Sequence, residues 1–498
     1  MNSDAGFTSF PEIVEGLAAQ PPGPALIALA RDGSRDEFSF SDVVERSASY
    51  GGAFAARGVQ RGDVVLSLIG NRPEWVFTML ACWRIGAVVL PCNEMLRAKD
   101  LRQRIETAAP TLVVADERNR GELEASGWDG ETIYVPDEGL AGHEPAARAD
   151  VGPGDPAMMI FTSGTTGDAK PVVHHHACLP GQQLQAEHWF DGRSGEIAWC
   201  TAASGWSKSA RNVFLTPWLC GATAVIQDAR FDPAERLEVI ARERVTVLCM
   251  APTEYRVIAR RMKLSPIESL RHCVSAGEAL NAEIFDNWRE GLGVEIHDGY
   301  GQTETGAVTA VRPGDAVKPG SMGRPLPGVR IRIEQGELWV DPATVPTFFK
   351  GYGRPGALTD PELFTEPGGD GTAWWRTGDL VTQDDDGYLW FDSRNDDIIL
   401  SAGYRIGPFE VESALISHPA VAEAAAVAAP DAERGAVVRA VIVLKDGYAA
   451  DEALATELQA HVKSITAPYK YPRIVEFVES LPKTTSGKIK RAELRGDA

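Results

Sequence analysis

Phe161-Thr162-Ser163-Gly164-Thr165-Thr166-Gly167-Asp168-Ala169-Lys170 sets hydroxyl side chains and two glycines between an apolar run and a lysine. Ala157 to Phe161 reads as a buried strand, and Thr162 onward as a loop leaving its carboxyl end. Glycines let backbone N–H groups converge on an anion, and the hydroxyls and the lysine add donors and charge. Thr162, Ser163, Gly164, Thr165, Thr166, Gly167 and Lys170 therefore form a candidate phosphate cradle. Asp168 and Ala169 separate the second glycine from the lysine, so the spacing is not that of the Walker loop. A Ser/Thr/Gly-rich surface turn is the simpler reading of the stretch taken alone.

Working outward, 498 residues are enough for a large layered core and a smaller attached domain. A formal charge of −21 excludes a general nucleic-acid binder, and it requires nucleotide anions to meet local cations. The seven cysteines include no C-x-x-C pair, which points to free thiols in a reducing cytoplasm. No basic and apolar leader opens the chain, and no apolar run reaches membrane-spanning length. A cytoplasmic protein without membrane contact is expected, with homo-oligomerisation left open.

Before the cradle, Val64 to Ile69, Trp75 to Ile85 and Ala87 to Leu90 read as strand, helix and strand, a β-α-β unit. Leu101 to Ala108 and Thr111 to Ala115 repeat the theme. After the cradle, helices at Leu237 to Arg244 and Glu254 to Met262 alternate with strands at Val245 to Met250, His272 to Ser275 and Val294 to His297. Polar, glycine-bearing loops at strand ends are where open α/β sheets bind ligands. From Gly323 to Asp392 short alternating strands suggest a β-rich subdomain. The charged run Arg394 to Asp397 marks a boundary, giving an α/β N-terminal domain over 1–394 and a small α+β domain over 395–498.

Three further stretches carry chemistry. Asp298-Gly299-Tyr300-Gly301-Gln302-Thr303-Glu304 brings an aromatic ring, a hydroxyl and a carboxylate together, suited to a base, a phosphate and Mg²⁺. A turn with a surface Glu is its bland alternative. Trp374 to Asp379 offers a carboxylate at a turn for ribose hydroxyls, against a plain capped turn. Pro482 to Lys490 is a basic, glycine-hinged loop that could bring Lys488 to an anionic reaction centre, against a solvated charge run. His174-His175-His176 is not read as a metal site, because strand neighbours point to opposite faces. Phe348-Phe349 and Trp374-Trp375 read as packing residues.

The ordered set FTSGTTGDAK, AGEAL, YGQTETG, WWRTGDL, SRNDDIILSAGYRIGPFEVE and PKTTSGKIKR resembles the adenylate-forming enzymes, which include acyl-CoA synthetases, adenylation domains and luciferases. The stretches at Gly205 to Ala210, Ala251 to Arg256 and Tyr469 to Arg473 are similar to the medium-chain and aryl-acid acyl-CoA synthetases. The resemblance implies an ATP-, Mg²⁺- and CoA-dependent acid:CoA ligase. It implies that the cradle wraps phosphates, Glu304 holds Mg²⁺, Thr303 contacts the α-phosphate, and Gly277, Glu278, Ala279 and Tyr300 flank adenine. Asp379 and Arg394 would hold the ribose, and Lys488 would bridge carboxylate and α-phosphate. A small domain turning about Asp396 would then bring Gly403 to a thiol tunnel, with Arg405, Arg434, Lys470 and Tyr471 gripping CoA. Trp206 and Arg211 would lie at the acyl pocket. Ala402 stands where that group carries serine, which leaves a carrier protein as the alternative acceptor. A non-catalytic nucleotide-binding module is the rival from another class.

Overall fold

The structure is a computed structural model that describes residues 7–19, 23–162, 169–278, 280, 282–365, 370–395, 397–402, 404–431, 434–483 and 489–496. These fall into two compact units, one holding 7–162, 169–330 and 341–375, the other 331–340 and 376–496.

Two mixed sheets make the larger unit. The first runs, edge to edge, through Ala357–Thr359, Gly351–Arg354, Lys170–His175, Pro156–Thr162, Val88–Pro91, Val64–Leu68, Leu112–Asp116 and Thr132–Val135. Its strands from Pro156–Thr162 to Thr132–Val135 are parallel. The helices Pro73–Ile85 and Ala98–Ala108 are those the sequence predicts, whereas the helix Arg120–Ala125 and the strand Thr132–Val135 lie in a stretch read as a polar connection. Pro73 stands in the first turn of Pro73–Ile85, and Gly86 closes that helix at φ +73°. Its residues Trp75 to Trp83 are all buried, as befits a helix apolar on every side.

The second sheet orders Arg324–Pro325, Gly306–Ala310, Ile296–Gln302, His272–Ala276, Val247–Met250, Ile197–Cys200, Thr223–Gln227, Pro24–Leu29 and Arg35–Ser39. The six from Ile296–Gln302 to Pro24–Leu29 are parallel, so their carboxyl ends share one edge. Trp199, Leu248, Tyr255, Trp288 and Ile296 pack its core. The β-α alternation from Val247–Met250 onward is as expected; the strands Pro24–Leu29, Arg35–Ser39, Ile197–Cys200 and Thr223–Gln227 are additions.

Two expected loops are strands. Tyr300 to Gln302 continues the strand Ile296–Gln302, which pairs antiparallel with Gly306–Ala310, so only 303–305 turn. Gly301 allows this pairing, since a Cβ there would lie 1.8 Å from the Gly306 carbonyl oxygen. Asp379 likewise lies within the long strand Ala373–Gln383, with Gly378 absorbing a bend at φ +71°.

In the smaller unit Ile331–Glu334 and Glu337–Val340 form a hairpin, and the Val381 N–H donates to the Gly336 carbonyl. Val421–Asp431, Gly435–Leu444 and Ile474–Phe477 form a sheet covered by helices Pro408–Ile416 and Glu452–Ile465. The β-rich stretch is thus shared between the units rather than lying wholly in the first.

Gly205 has φ +87°, and a Cβ there would meet the Asn93 backbone nitrogen at 2.2 Å. Gly58 has nearly the same φ, +86°, with open space around it. Gly58→Ala should cost about 1–2 kcal/mol from backbone strain alone, and Gly205→Ala about 3 kcal/mol or more. Thermal melts of the two variants check the order; equal losses would remove the contact from the explanation.

Candidate functional site

The carboxyl edge of the second sheet collects the site. Ladder pairing sets Met250 beside Ser275, Ser275 beside Asp298 and Ala276 beside Gly299, so the chain leaves three adjacent strands at one level. Lys208, on the short helix Ser207–Asn212, crosses these ends: its Nζ donates to the carbonyls of Met250 at 2.6 Å and Ala276 at 3.2 Å. Glu278, just past the strand, accepts from Arg256 Nη2 at 2.9 Å and from Thr253 Oγ1 at 3.2 Å. Gly277 adopts φ +108°, a conformation open to glycine.

The Gln302 to Thr305 turn is closed from within. Thr305 N–H donates to the Gln302 carbonyl at 3.3 Å, and Gln302 N–H to Thr305 Oγ1 at 3.0 Å. Outside it, Trp375 Nε1 donates to Gln302 Oε1 at 3.0 Å, and Phe349 N–H to the Glu304 carbonyl at 2.7 Å. The Glu304 carboxylate accepts from the Tyr352 hydroxyl at 3.0 Å. Burial first, then the charge of Glu304, pushes the Tyr352 phenol well above its usual range, so it remains a donor. Phe348, Phe349, Tyr352 and Trp375 pack edge to face around this turn, with centroids 4.8–5.7 Å apart. Phe348, Phe349 and Trp375 are packing residues, as expected, and Trp375 also holds Gln302.

Beneath the turn lies Arg211, expected at the acyl pocket and here 5% exposed. It donates to the carbonyls of Thr303 at 2.7 Å and Gln302 at 3.3 Å, and to His174 Nε2 at 3.2 Å. Burial lowers its guanidinium to about 10, opposed by Cys178 and Glu304, so it stays charged near neutrality. Burial, with Arg211 and His175 beside it, holds the His174 imidazole well below its usual range. It is a neutral acceptor.

Asp298 points inward. It is 2% exposed, accepts from the Gly299 N–H at 3.1 Å, and burial pushes its carboxyl up to about 8. Gly299 leaves room for the Trp189 ring, which a Cβ would meet at 2.9 Å. Trp206 precedes the Lys208 helix and is partly exposed. At the cradle, Thr162 and Lys170 face each other across antiparallel strands, and Lys170 Nζ lies 5.9 Å from the Tyr352 ring centre. Residues 163–168, Ala279, Asp396, Gly403 and Lys488, and the side chain of Arg405, lie outside the described residues.

In the smaller unit Arg394 and Asp379 are cross-strand partners, with Nη1 3.1 Å from Oδ1. Asp379 is 4% exposed, and its N–H donates to Thr377 Oγ1 at 3.1 Å. Lys470 is ion-paired with Glu410, and Tyr471 sits under Lys463 Nζ at 3.8 Å and Arg473 at 5.0 Å. Arg434 is exposed, its N–H capped by Asp431 at 2.8 Å. Ala402, at φ +48°, donates its N–H to the Arg434 carbonyl at 3.0 Å.

Residues 15–352 match the AMP-binding enzyme family. The chain belongs to that family. Residues 410–488 match the AMP-binding enzyme C-terminal domain. The chain is 40% identical to the uncharacterized acyl-CoA ligase YtcI of Bacillus subtilis (strain 168), over 97% of this chain and 94% of the relative. It is 37% identical to the mitochondrial acyl-coenzyme A synthetase ACSM3 of Mus musculus, over 95% and 86%. Among solved structures, the anthranilate CoA ligase AuaEII in complex with anthranoyl-AMP superposes with a TM-score of 0.87 at 27% identity, covering 100% of this chain and 99% of that one. The AMP-binding chain is accordingly an AMP-forming ligase of the acyl-CoA synthetase kind.

Tyr352, Lys208 and the clamp role of Arg211 are not visible in the sequence. Tyr352 follows Glu304 by 48 residues, and nothing in local spacing joins them.

Asp298 yields a pH test. Its folded carboxyl holds a proton up to about pH 8, whereas an unfolded aspartate releases it near pH 4, so its stabilising contribution is complete below about pH 4 and is lost as pH rises towards 8. Asp298→Asn should shrink the loss of stability between about pH 5 and pH 8, by on the order of 2 kcal/mol. Denaturation curves across that range check it; an unchanged slope would show that Asp298 is ionised in the folded chain.

Proposed function

We propose that this AMP-binding enzyme joins a medium-chain, aromatic or cyclic carboxylic acid to CoA through an acyl-adenylate. The observation that carries the reading is the braced turn that presents Thr303 and Glu304 at the end of the sheet, in a chain similar along its length to acyl-CoA ligases.

A carboxylate is a weak electrophile, and ATP makes it reactive by giving it AMP as a leaving group. Residues Thr162 to Gly167 and Lys170 receive the β- and γ-phosphates in this reading, and Thr303 the α-phosphate. Gly277, Glu278, Ala279, Gly299, Tyr300 and Gly301 flank the adenine, while Gln302 and the protonated Asp298 support that wall from behind. Asp379 and Arg394, already joined, orient the ribose hydroxyls.

Among the described residues no three His, Cys, Asp or Glu side chains gather as a metal cage. A single carboxylate, Glu304, suits Mg²⁺, which keeps several waters and takes its other ligands from phosphates. Mg²⁺ held there would offset the charge that builds on the departing pyrophosphate.

Lys488 is assigned to the carboxylate and α-phosphate, and Trp206 to the acyl chain. Arg405, Arg434, Lys470 and Tyr471 are assigned to the nucleotide end of CoA, and Asp396 and Gly403 to the hinge and the thiol tunnel. The boundary of the mobile part is placed after Arg394. A cytoplasmic setting rests on seven free cysteines, whereas the mouse relative is named mitochondrial. No helix among the described residues is long and apolar enough to cross a membrane. A carrier protein as acceptor is the second reading, favoured by alanine at 402 and by the pairing of Lys470 with Glu410.

Lys488→Ala should lower acid-dependent ATP–pyrophosphate exchange by about 10²–10³-fold. Unchanged exchange would remove Lys488 from the adenylation step. With the parent enzyme, CoA thioester should appear across a panel of medium-chain and aromatic acids. Adenylate that accumulates without thioester would transfer the reading to a carrier protein.

A further inference from the structure

Arg211 is a buried cation whose direct hydrogen-bond partners are neutral groups. Among the described residues no carboxylate lies within salt-bridge reach of it, and its Nε has no hydrogen-bond partner. Burying an unpaired charge costs several kcal/mol unless hydrogen bonds or a ligand compensate. Its other two nitrogens reach the carbonyls of consecutive residues, Gln302 and Thr303.

In a trans peptide the carbonyl of one residue and the N–H of the next point in opposite directions. With the carbonyls of Gln302 and Thr303 aimed at Arg211, the N–H groups of Thr303 and Glu304 are aimed away from it. Among the described residues neither N–H has an acceptor. Two adjacent, unpaired N–H groups aimed to one side, with a positive charge behind them, form an anion-receiving element. His174 holds the guanidinium in place. Since arginine can only donate, Nε2 of His174 accepts, and the ring proton sits on Nδ1. Gly306, at φ +72°, lets the guanidinium come close, because a Cβ there would lie 3.2 Å from Arg211 Nη1.

We propose that Arg211, held by His174, is a positioning residue for nucleotide binding: it clamps two backbone carbonyls so that the Thr303 and Glu304 amides receive a phosphate, and it adds positive charge behind them. This rests on the reading of Thr303 and Glu304 as the phosphate and Mg²⁺ residues. It assigns Arg211 to the ATP side of the reaction, not to the acid side.

The test uses the full-length chain as Arg211→Met, Arg211→Lys and Glu304→Gln, each checked for folding by circular dichroism and thermal melting. Calorimetry measures binding of ATP with Mg²⁺ and of ATP in EDTA, and steady-state assays give KM for ATP and for the acid. Arg211→Met should weaken ATP binding about tenfold under both conditions and raise KM for ATP, with KM for the acid within about twofold. Arg211→Lys keeps the charge and one carbonyl bond and should recover at least about threefold of that loss. Glu304→Gln should lose affinity only when Mg²⁺ is present.

If Arg211→Met does not fold, Arg211→Lys carries the test through a shift in KM for ATP alone. A change confined to KM for the acid in either Arg211 variant overturns the clamp and makes Arg211 an acyl-pocket residue. Loss in Glu304→Gln with no loss in Arg211→Met also overturns the clamp and leaves the nucleotide reading standing. No loss in any of the three overturns both.

Discussion

Parallel pairing of the six strands from Pro24–Leu29 to Ile296–Gln302 is the constraint from which the site follows. Each backbone N–H and C=O inside the sheet must find a partner, and the apolar side chains that have to face the core select one register among those that satisfy this need. Once Ser275 is opposite Asp298, the segments after both strands begin at the same height. Glu278 and Glu304 are then near the same edge, although 26 positions separate them in the sequence. Lys208 reinforces the arrangement by bonding to carbonyls at two of those ends.

Charge is the second constraint. A chain with a formal net charge of −21 that takes up polyanions must place its cations deliberately. In the larger unit it does so in two ways. Lys170 stands exposed at the end of its strand, with Nζ 5.9 Å from the Tyr352 ring centre. Arg211 and Lys208 are instead turned onto main-chain carbonyls, so their charge is fixed and the peptide dipoles beyond them are oriented. In the smaller unit Glu412 draws Arg491 into a bidentate contact at 2.8 Å, and Arg495 reaches Asp397 at 2.8 Å. Those bonds tie the helix Arg491–Arg495 to the body of that unit.

Periodicity and composition revealed the β-α alternation, because long apolar strands and helices are set by local pattern. The helices Pro73–Ile85 and Pro252–Arg261 appear within a few residues of their expected limits. The motif residues were legible for the same reason: hydroxyls, glycines and carboxylates cluster there within short spans. What was hidden depends on contacts between distant positions. Tyr300 to Gln302 read as a loop because its glycines and polar residues are poor strand formers, and only pairing with Gly306–Ala310 makes it a strand. Asp298 looked like part of the binding motif, yet the alternation of a strand turns its side chain into the core. The contact of Arg211 with the Gln302 and Thr303 carbonyls was hidden, because it joins positions 91 and 92 residues apart through the helix Ser207–Asn212.

If this fold joins an acid to a thiol by way of AMP, the acid's own oxygen keeps a record of the route. A carboxylic acid labelled with heavy oxygen in its carboxylate is supplied with ATP, Mg²⁺ and CoA, and the nucleotide product is examined by mass spectrometry. Attack of the carboxylate on the α-phosphate followed by thioester formation leaves one heavy oxygen in AMP and none in pyrophosphate. Heavy oxygen in inorganic phosphate, with ADP as the nucleotide, would mean an acyl-phosphate route and would contradict the account.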